Sequence, residues 1–428
     1  MGVSGSMRSQ IGTLIFATSL IQFANGFFGT FISLRVATEA FDPTMTGLVL
    51  SSYFAGFTIA AMRSDSIIAR VGHIRAYAAF AGLVVCGTAA MPLIVEPVAW
   101  VVMRALIGFG CAGLFVTTES WLNAKAQPAE RGWIFSIYMV GTFLALALGQ
   151  LLIGRMPIES ATSFNLIIGL FALALVLVAA TRAEPPVVAA AATLPYGQLT
   201  RAAPVAVGGC ALSGLIASTF YALVPAWMQD EGLPQQTIAL FMLAAVLGGF
   251  VFQVPVGRLS DRFDRRIVLA TLGLGLAISA LALVVLPHRL EVVLVVAALF
   301  GGFMSTIYPV CVANAHDRMP ADRVVAVSGR LILVSGTASV IGPLAGSALM
   351  ARFGIDGVIY FIAAAAFLIA ALAAGGTVLL VAPKRLVRPF ALLAPQATAL
   401  AHDAFETEGE GDDIAEAVED AASRPVAP

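Results

Sequence analysis

Three ionised side chains interrupt otherwise apolar stretches of the chain: Arg104, Glu119 and Arg330. A charge near the middle of hydrocarbon costs about 2.5 kcal/mol or more, so each must find a cavity, a partner or a path to the headgroups. Arg104 stands some six residues inside its apolar run, deep enough to seek a cavity yet near enough to the end to snorkel outward. Neutral polar groups accompany them: Gln22 and Asn25 in the first run, Ser213, Ser218 and Tyr221 in the seventh, Thr306 and Tyr308 in the tenth. In a dry environment such amides and hydroxyls bind either a neighbouring helix or a solute. A different chemistry is concentrated in Gly257–Arg266, where Arg258, Arg262, Arg265 and Arg266 surround Asp261 and Asp264. Four arginines in ten residues cannot cross hydrocarbon, so this stretch is expected as a loop at the membrane face. Cys86, Cys111, Cys210 and Cys311 are widely spaced inside apolar runs, and His73, His288, His316 and His402 fall in loops or the tail, so no metal pattern is expected. The chain has no G-x-x-x-x-G-K-[ST] phosphate loop and no nucleophile–base constellation, which argues against a nucleotide motor, a bound cofactor and an enzyme.

The elements that must hold these groups follow from composition. The 428 residues are 59% hydrophobic and 11% charged, against about 25% charged in a soluble domain. The bilayer is therefore the expected partner, and a net charge of −1 gives no case for nucleic acid. Hydropathy predicts an all-α membrane protein with twelve transmembrane helices, at about 11–35, 45–62, 76–95, 98–122, 132–154, 164–181, 203–228, 237–255, 267–286, 291–314, 324–349 and 355–382. The first run is too long for a signal-peptide core and is read as a retained span. With the N-terminus inside, 18 of the 24 basic residues fall on the cytoplasmic side, Arg70, Arg262 and Lys384 among them. The outer loops keep Arg35, Arg155, Arg289 and Arg352, and this bias predicts both termini in the cytoplasm.

A repeat divides the chain. Pro128-Ala129-Glu130-Arg131 returns as Pro320-Ala321-Asp322-Arg323, an offset of 192, and Ala105-Leu106-Ile107-Gly108 returns as Ala298-Leu299-Phe300-Gly301, an offset of 193. The charged loop has its own counterpart 192 residues earlier, around Ala69-Arg70-Val71-Gly72-His73. The expected organisation is a six-helix bundle over 1–181, a Pro- and Ala-rich cytoplasmic linker over 182–202, a second six-helix bundle over 203–382 and a solvated acidic tail over 383–428.

Several motifs resemble the Major Facilitator Superfamily. Gly257-x-x-x-Asp261-Arg262-x-Asp264-Arg265-Arg266 is similar to its signature loop, Arg104-x-x-x-Gly108-x-Gly110 to its fourth-helix motif, and Gly336 through Gly342-Pro343 and Gly346 to a Gly/Pro-rich interface helix. Ser51-Ser52-Tyr53-Phe54-Ala55-Gly56, Glu119-Ser120, Gly149-Gln150-Leu151-Leu152 and Ile307-Tyr308-Pro309-Val310 resemble its YcaD-like bacterial branch. The first-half loop departs from the pattern, with Asp65 in place of the expected glycine and Ala69 in place of the expected acid.

The resemblance implies two pseudo-symmetric six-helix bundles that rock about a midplane cavity, lined by the first, fourth, seventh and tenth spans. It implies that Asp261, with Arg262, Arg265, Arg266 and Arg70, latches the bundles on the inside; a loop that only sets topology is the alternative. It links Arg104 to proton coupling and substrate contact, and it brings Glu119 near Arg330 at the inner gate. There the two would pair and separate, with the carboxylate as a site of protonation, unless they are independent interface residues. Gln22, Asn25, Ser218, Tyr221, Thr306 and Tyr308 are the cavity candidates. The expected function is secondary transport of a small organic solute across the bacterial inner membrane by a monomer, coupled to protons. The alternatives are a facilitated-diffusion uniporter and a non-transporting assembly or sensor protein of the same fold.

Overall fold

The computed structural model describes residues 2–39, 41–127, 130–180, 195–320 and 323–379. These residues form thirteen helices: α1 Gly2–Thr38, α2 Pro43–Val71, α3 His73–Ala90, α4 Pro97–Lys125, α5 Arg131–Gln150, α6 Ala161–Ala179, α7 Tyr196–Ala202, α8 Pro204–Asp230, α9 Gln235–Arg262, α10 Arg265–Val285, α11 Leu290–His316, α12 Val324–Phe353 and α13 Gly357–Leu379. All but α7 are long and apolar enough to cross a bilayer, which gives twelve candidate spans. Spans dominate because a backbone in lipid must satisfy its own N–H and C=O groups, and a helix does so within one segment. The starts carry local signals. Asp42 caps α2 by accepting from the Thr44 and Met45 amides, Glu96 caps α4 through the Ala99 amide, Ser160 caps α6, and Asp264 caps α10 through the Arg266 amide. Pro43, Pro97 and Pro204 occupy first-turn positions, where their missing N–H costs nothing.

Two sequence expectations are corrected here. Gly257–Arg266 is mostly helix: α9 runs through Arg262, α10 begins at Arg265, and only Phe263 and Asp264 lie between. Arginine is a good helix former, and hydropathy marks where the chain leaves hydrocarbon, which is not where its helical ladder ends. For the same reason α2 continues to Val71, well past Met62. Within the expected linker, Tyr196–Ala202 forms the short helix α7; residues 182–194 and the acidic tail lie outside the described residues.

The spans form two six-helix bundles, α1–α6 and α8–α13, with one packing plan. The pairs α2–α4, α3–α4, α1–α5, α1–α6 and α3–α6 recur as α9–α11, α10–α11, α8–α12, α8–α13 and α10–α13. The closest pair carries the repeat into atomic detail. A Cβ on Gly56 would stand 1.9 Å from the Ala105 carbonyl oxygen, and one on Gly108 1.9 Å from that of Tyr53. Across the second pair, a Cβ on Gly248 would stand 2.1 Å from the Ala298 oxygen, and one on Gly301 1.9 Å from that of Ala245. Only glycine lets the two backbones touch, and in lipid this van der Waals contact is a main source of helix association. The outer surface is apolar: Ile59, Met62, Val102, Val251, Ile278, Val285 and Phe367 are all exposed. Such a belt would drive aggregation in water and is what acyl chains require.

Contacts between bundles follow the α2–α12, α5–α9 and α1–α8 seams. Several cluster at the face carrying the α1–α2 and α8–α9 turns. The Ala226 amide donates to Ser33 Oγ at 3.2 Å; Gln235 Nε2 donates to the carbonyls of Ile153 and, at 2.8 Å, Met156; and Gly47 abuts Leu344 and Ser347. Nearer the midplane, Phe143 and Phe250 meet with ring centroids 5.6 Å apart.

Candidate functional site

Between the bundles lies a cavity of about 240 Å³. Its wall draws on α1 (Asn25, Phe28, Thr30), α2 (Tyr53, Phe57, Thr58), α4 (Arg104), α5 (Leu146, Gln150), α8 (Ser213, Ser218, Tyr221), α11 (Ser305, Tyr308) and α12 (Ser335, Ser339). Both halves therefore contribute hydroxyls and aromatic faces to one chamber. The Ser33, Gln235 and Gly47 contacts cap it at one end, and toward the arginine-rich face its wall extends to Ala61 and Ile332.

Arg104 is the one charged residue among those lining this wall. It is 5% exposed, and its guanidinium carbon lies 4.6 Å from the Tyr53 ring centroid and 5.5 Å from that of Phe28. Ring quadrupoles attract a desolvated cation, which partly offsets the cost of burying it. Its Nε is buried, and none of the described residues accepts a hydrogen bond from it. Arg104 thus faces the chamber and does not snorkel outward, because Tyr53 of α2 and Phe28 of α1 hold it inside.

The other cavity candidates divide. Asn25, Ser213, Ser218, Tyr221 and Tyr308 are on the wall. Gln22 is buried beside it and accepts from Asn25 Nδ2 at 3.5 Å, while Thr306 is fully buried and donates back to the Gly302 and Phe303 carbonyls. The helical turn explains Thr306: Ser305 and Tyr308 share one face of α11, and the residue next to Ser305 is rotated by about 100°. Thr30, Tyr53, Thr58, Gln150, Ser305, Ser335 and Ser339 also belong to the polar wall, and none of them is among the candidates read from the sequence. Gln150, an amide in an apolar run, carried the same signal as Gln22; its Oε1 accepts from Thr30 Oγ1 at 2.7 Å.

The charged groups at the arginine-rich face sit as follows. Arg265, 1% exposed, donates from Nε to Asp317 Oδ2 at 2.8 Å and reaches Asp261 from Nη2 at 3.5 Å. Asp317 caps the C-terminal end of α11, so these two bridges join the α9–α10 turn to α11 within the second bundle. Asp317 was not anticipated; only its position at the end of a span hinted at a role. Arg266 is buried, and Arg262, Arg70 and Asp65 are exposed. Glu119 is fully buried on α4 and accepts from Tyr138 Oη of α5 at 3.0 Å; Arg330 is half-buried on α12. Among the described residues no group of three or more His, Cys, Asp or Glu is placed to hold a metal ion.

Comparison with known proteins agrees with this architecture. The family model described as Major Facilitator Superfamily matches residues 14–252 and 206–403. The chain is 27% identical to the MFS-type transporter YcaD of Escherichia coli O7:K1 (strain IAI39 / ExPEC) over 351 residues, 82% of this chain and 91% of that one. An MFS-type transporter of Enterobacter sp. (strain 638), Ent638_1421, is 28% identical over the same shares. Among solved structures, a point mutant of the nucleoside transporter NupG aligns with a TM-score of 0.73 at 13% identity, covering 86% of this chain and 99% of that chain. A bacterial homolog of the human lysosomal transporter Spinster, in an inward-facing and occupied conformation, aligns at 0.65 with 16% identity, covering 86% and 95%. By these matches, and by two six-helix bundles that flank a shared polar chamber, the chain belongs to the Major Facilitator Superfamily, a family of membrane transporters and not of enzymes.

Proposed function

We propose that this protein carries a small organic solute across the bacterial inner membrane by alternating access, as a monomer with both termini in the cytoplasm. The observation that carries the reading is the chamber between the bundles, walled by both halves and capped at one end by inter-bundle contacts at Ser33, Gly47 and Gln235. In this reading the arginine-rich face is cytoplasmic, as its basic residues favour, and the chamber communicates with that side. Seams of small residues between α2 and α12 support rigid-body rocking: Gly47 meets Leu344 and Ser347, and Gly336 meets Thr58.

Coupling to protons is part of the proposal. Glu119 is a carboxylate buried near the arginine-rich end of α4, with Arg330 on α12 of the facing bundle as its proposed partner when that end is shut. Arg70, Asp261, Arg262, Arg265 and Arg266 are the proposed latch residues. The experiment is flux into proteoliposomes with an imposed pH gradient. Uptake that follows the gradient supports coupling; uptake indifferent to it leaves facilitated diffusion. Exchanging the charges, Glu119→Arg with Arg330→Glu, is expected to restore transport lost in each single variant. A double variant no better than the singles rejects the pairing.

A further inference from the structure

The transport reading names no substrate class, but the chamber itself is asymmetric in charge. Its described wall has one cation, Arg104, and no Asp, Glu, Lys or His. The cation is buried, and its Nε donor has no acceptor among the described residues. An uncompensated charge away from water is costly, and a fold that keeps one usually supplies its counter-ion by other means. Here the rings of Tyr53 and Phe28 lie 4.6 and 5.5 Å from the guanidinium carbon; they attract the cation but carry no negative charge to balance it. The planar fork of N–H donors matches a carboxylate in two parallel bonds. Around it the wall offers Phe28, Phe54, Phe57 and Leu146 for an apolar body, and at about 240 Å³ the space lies just below the usual range of drug-sized sites, so the body must be small.

We propose, resting on the transport reading above, that the solute is a small organic anion whose carboxylate docks on Arg104 while its apolar body lies against the aromatic wall between α1 and α2. Tyr53 and Phe28 then act as positioning residues, holding the guanidinium toward the chamber. The neutral hydroxyls of Ser218, Tyr221 and Ser305 line the opposite side and select among bodies by size and polarity. Nothing on the described wall would neutralise a cationic solute, and an amine would meet Arg104 as a like charge.

The test uses purified full-length protein in detergent and pairs of probes of like shape, one charged and one neutral: benzoate with benzamide, phenylacetate with phenylacetamide, indole-3-acetate with indole-3-acetamide, with phenethylamine as the cation. Thermal stabilisation titrated against each probe gives an apparent Kd, since a ligand of the folded state raises its stability by mass action. At least one acid is expected to bind at least about tenfold tighter than its amide, the worth of a charge-assisted hydrogen bond. Phenethylamine is expected to give no shift. Arg104→Gln is expected to bring acid and amide within about twofold of each other. Arg104→Lys keeps the charge without the fork, so it should retain the order of preference with weaker binding. Should Arg104→Gln fail to fold, the lysine variant and the wild-type pairs still decide the matter. The proposal is overturned if amides or the amine stabilise as well as the acids, if no acid stabilises the wild type, or if the acid preference survives in Arg104→Gln. Two-sided labelling of single cysteines in the same preparation reports alternating access without any solute. A failed acid preference with intact two-sided labelling removes the anion assignment alone, whereas one-sided labelling removes the transport reading beneath it.

Discussion

Replacing Asp317 by asparagine is expected to destabilise the second bundle far more than the same change at Asp261. Both acids contact Arg265, whose side chain is 1% exposed, but they do so differently. Asp317 is 7% exposed and bonds Nε at 2.8 Å; Asp261 is 34% exposed and stands 3.5 Å from Nη2. Removing one member of a buried pair costs about 3–5 kcal/mol because the remaining charge is left uncompensated. With Asp261 still within reach, the loss for Asp317→Asn should fall at the lower end, about 3 kcal/mol. The Asp261 contact is longer and about one-third exposed, so solvent screens it and Asp261→Asn should cost less, about 1 kcal/mol. The assay is reversible unfolding in mild detergent, read from tryptophan fluorescence, with Arg265→Gln and the Arg265→Gln/Asp317→Asn double variant closing a cycle. The double variant should be more stable than the sum of the single losses predicts, by a coupling of about 1–3 kcal/mol. Equal losses for the two acids, a larger loss at Asp261, or additivity in the cycle would refute the reasoning. The signature acid Asp261 would then anchor the turn, and Asp317 would be incidental.

Other outcomes follow from contacts described above. Gly108→Ala and its repeat partner Gly301→Ala should each cost about 1–3 kcal/mol, because the new methyl meets a backbone carbonyl that cannot yield without parting the helices; unfolding midpoints of the two variants should fall together, and an unchanged midpoint in either would contradict the close approach. Tyr138→Phe removes the hydroxyl that donates to the buried Glu119 carboxylate and should cost about 1–3 kcal/mol; adding Glu119→Gln should recover part of the loss, which the same unfolding assay reads. Gln235→Ala removes two inter-bundle hydrogen bonds at the capped end. It should raise the labelling rate of Thr30→Cys, by an impermeant thiol reagent applied from that side, by about fivefold or more.

Much of the architecture was legible because the bilayer imposes strong rules on composition. Long, predominantly apolar runs gave twelve spans, and near-constant offsets such as Ala105–Gly108 to Ala298–Gly301 gave two like halves, whose glycines make the same backbone contacts in each. What remained hidden was rotation about each helix axis. A span that faces lipid on one side and packed protein on the other is apolar all round, so no polar stripe says which way Thr306 or Gln22 points. Helix ends at the arginine-rich face were hidden for a related reason: hydropathy reports the edge of hydrocarbon, and α2 and α9 run past it into water. Asp317 was missed because a lone acid after a span carries no periodic signal, and its partner Arg265 is distant in sequence.

The backbone contact between α2 and α4 has a mechanical meaning. With Gly56 notched over Ala105 and Gly108 over Tyr53, sliding either rod by one residue would ram a methyl or larger group into a peptide oxygen. The two rods are keyed together, and so are α9 and α11 through Gly248 and Gly301. Such keying resists shear inside these pairs, so under the proposed rocking the seams α2–α12, α5–α9 and α1–α8 are the joints that would take up displacement. Tyr53 rides on the first keyed pair, so under the proposal above a solute held at the arginine it shelters would load a strut whose far side abuts the opposite bundle.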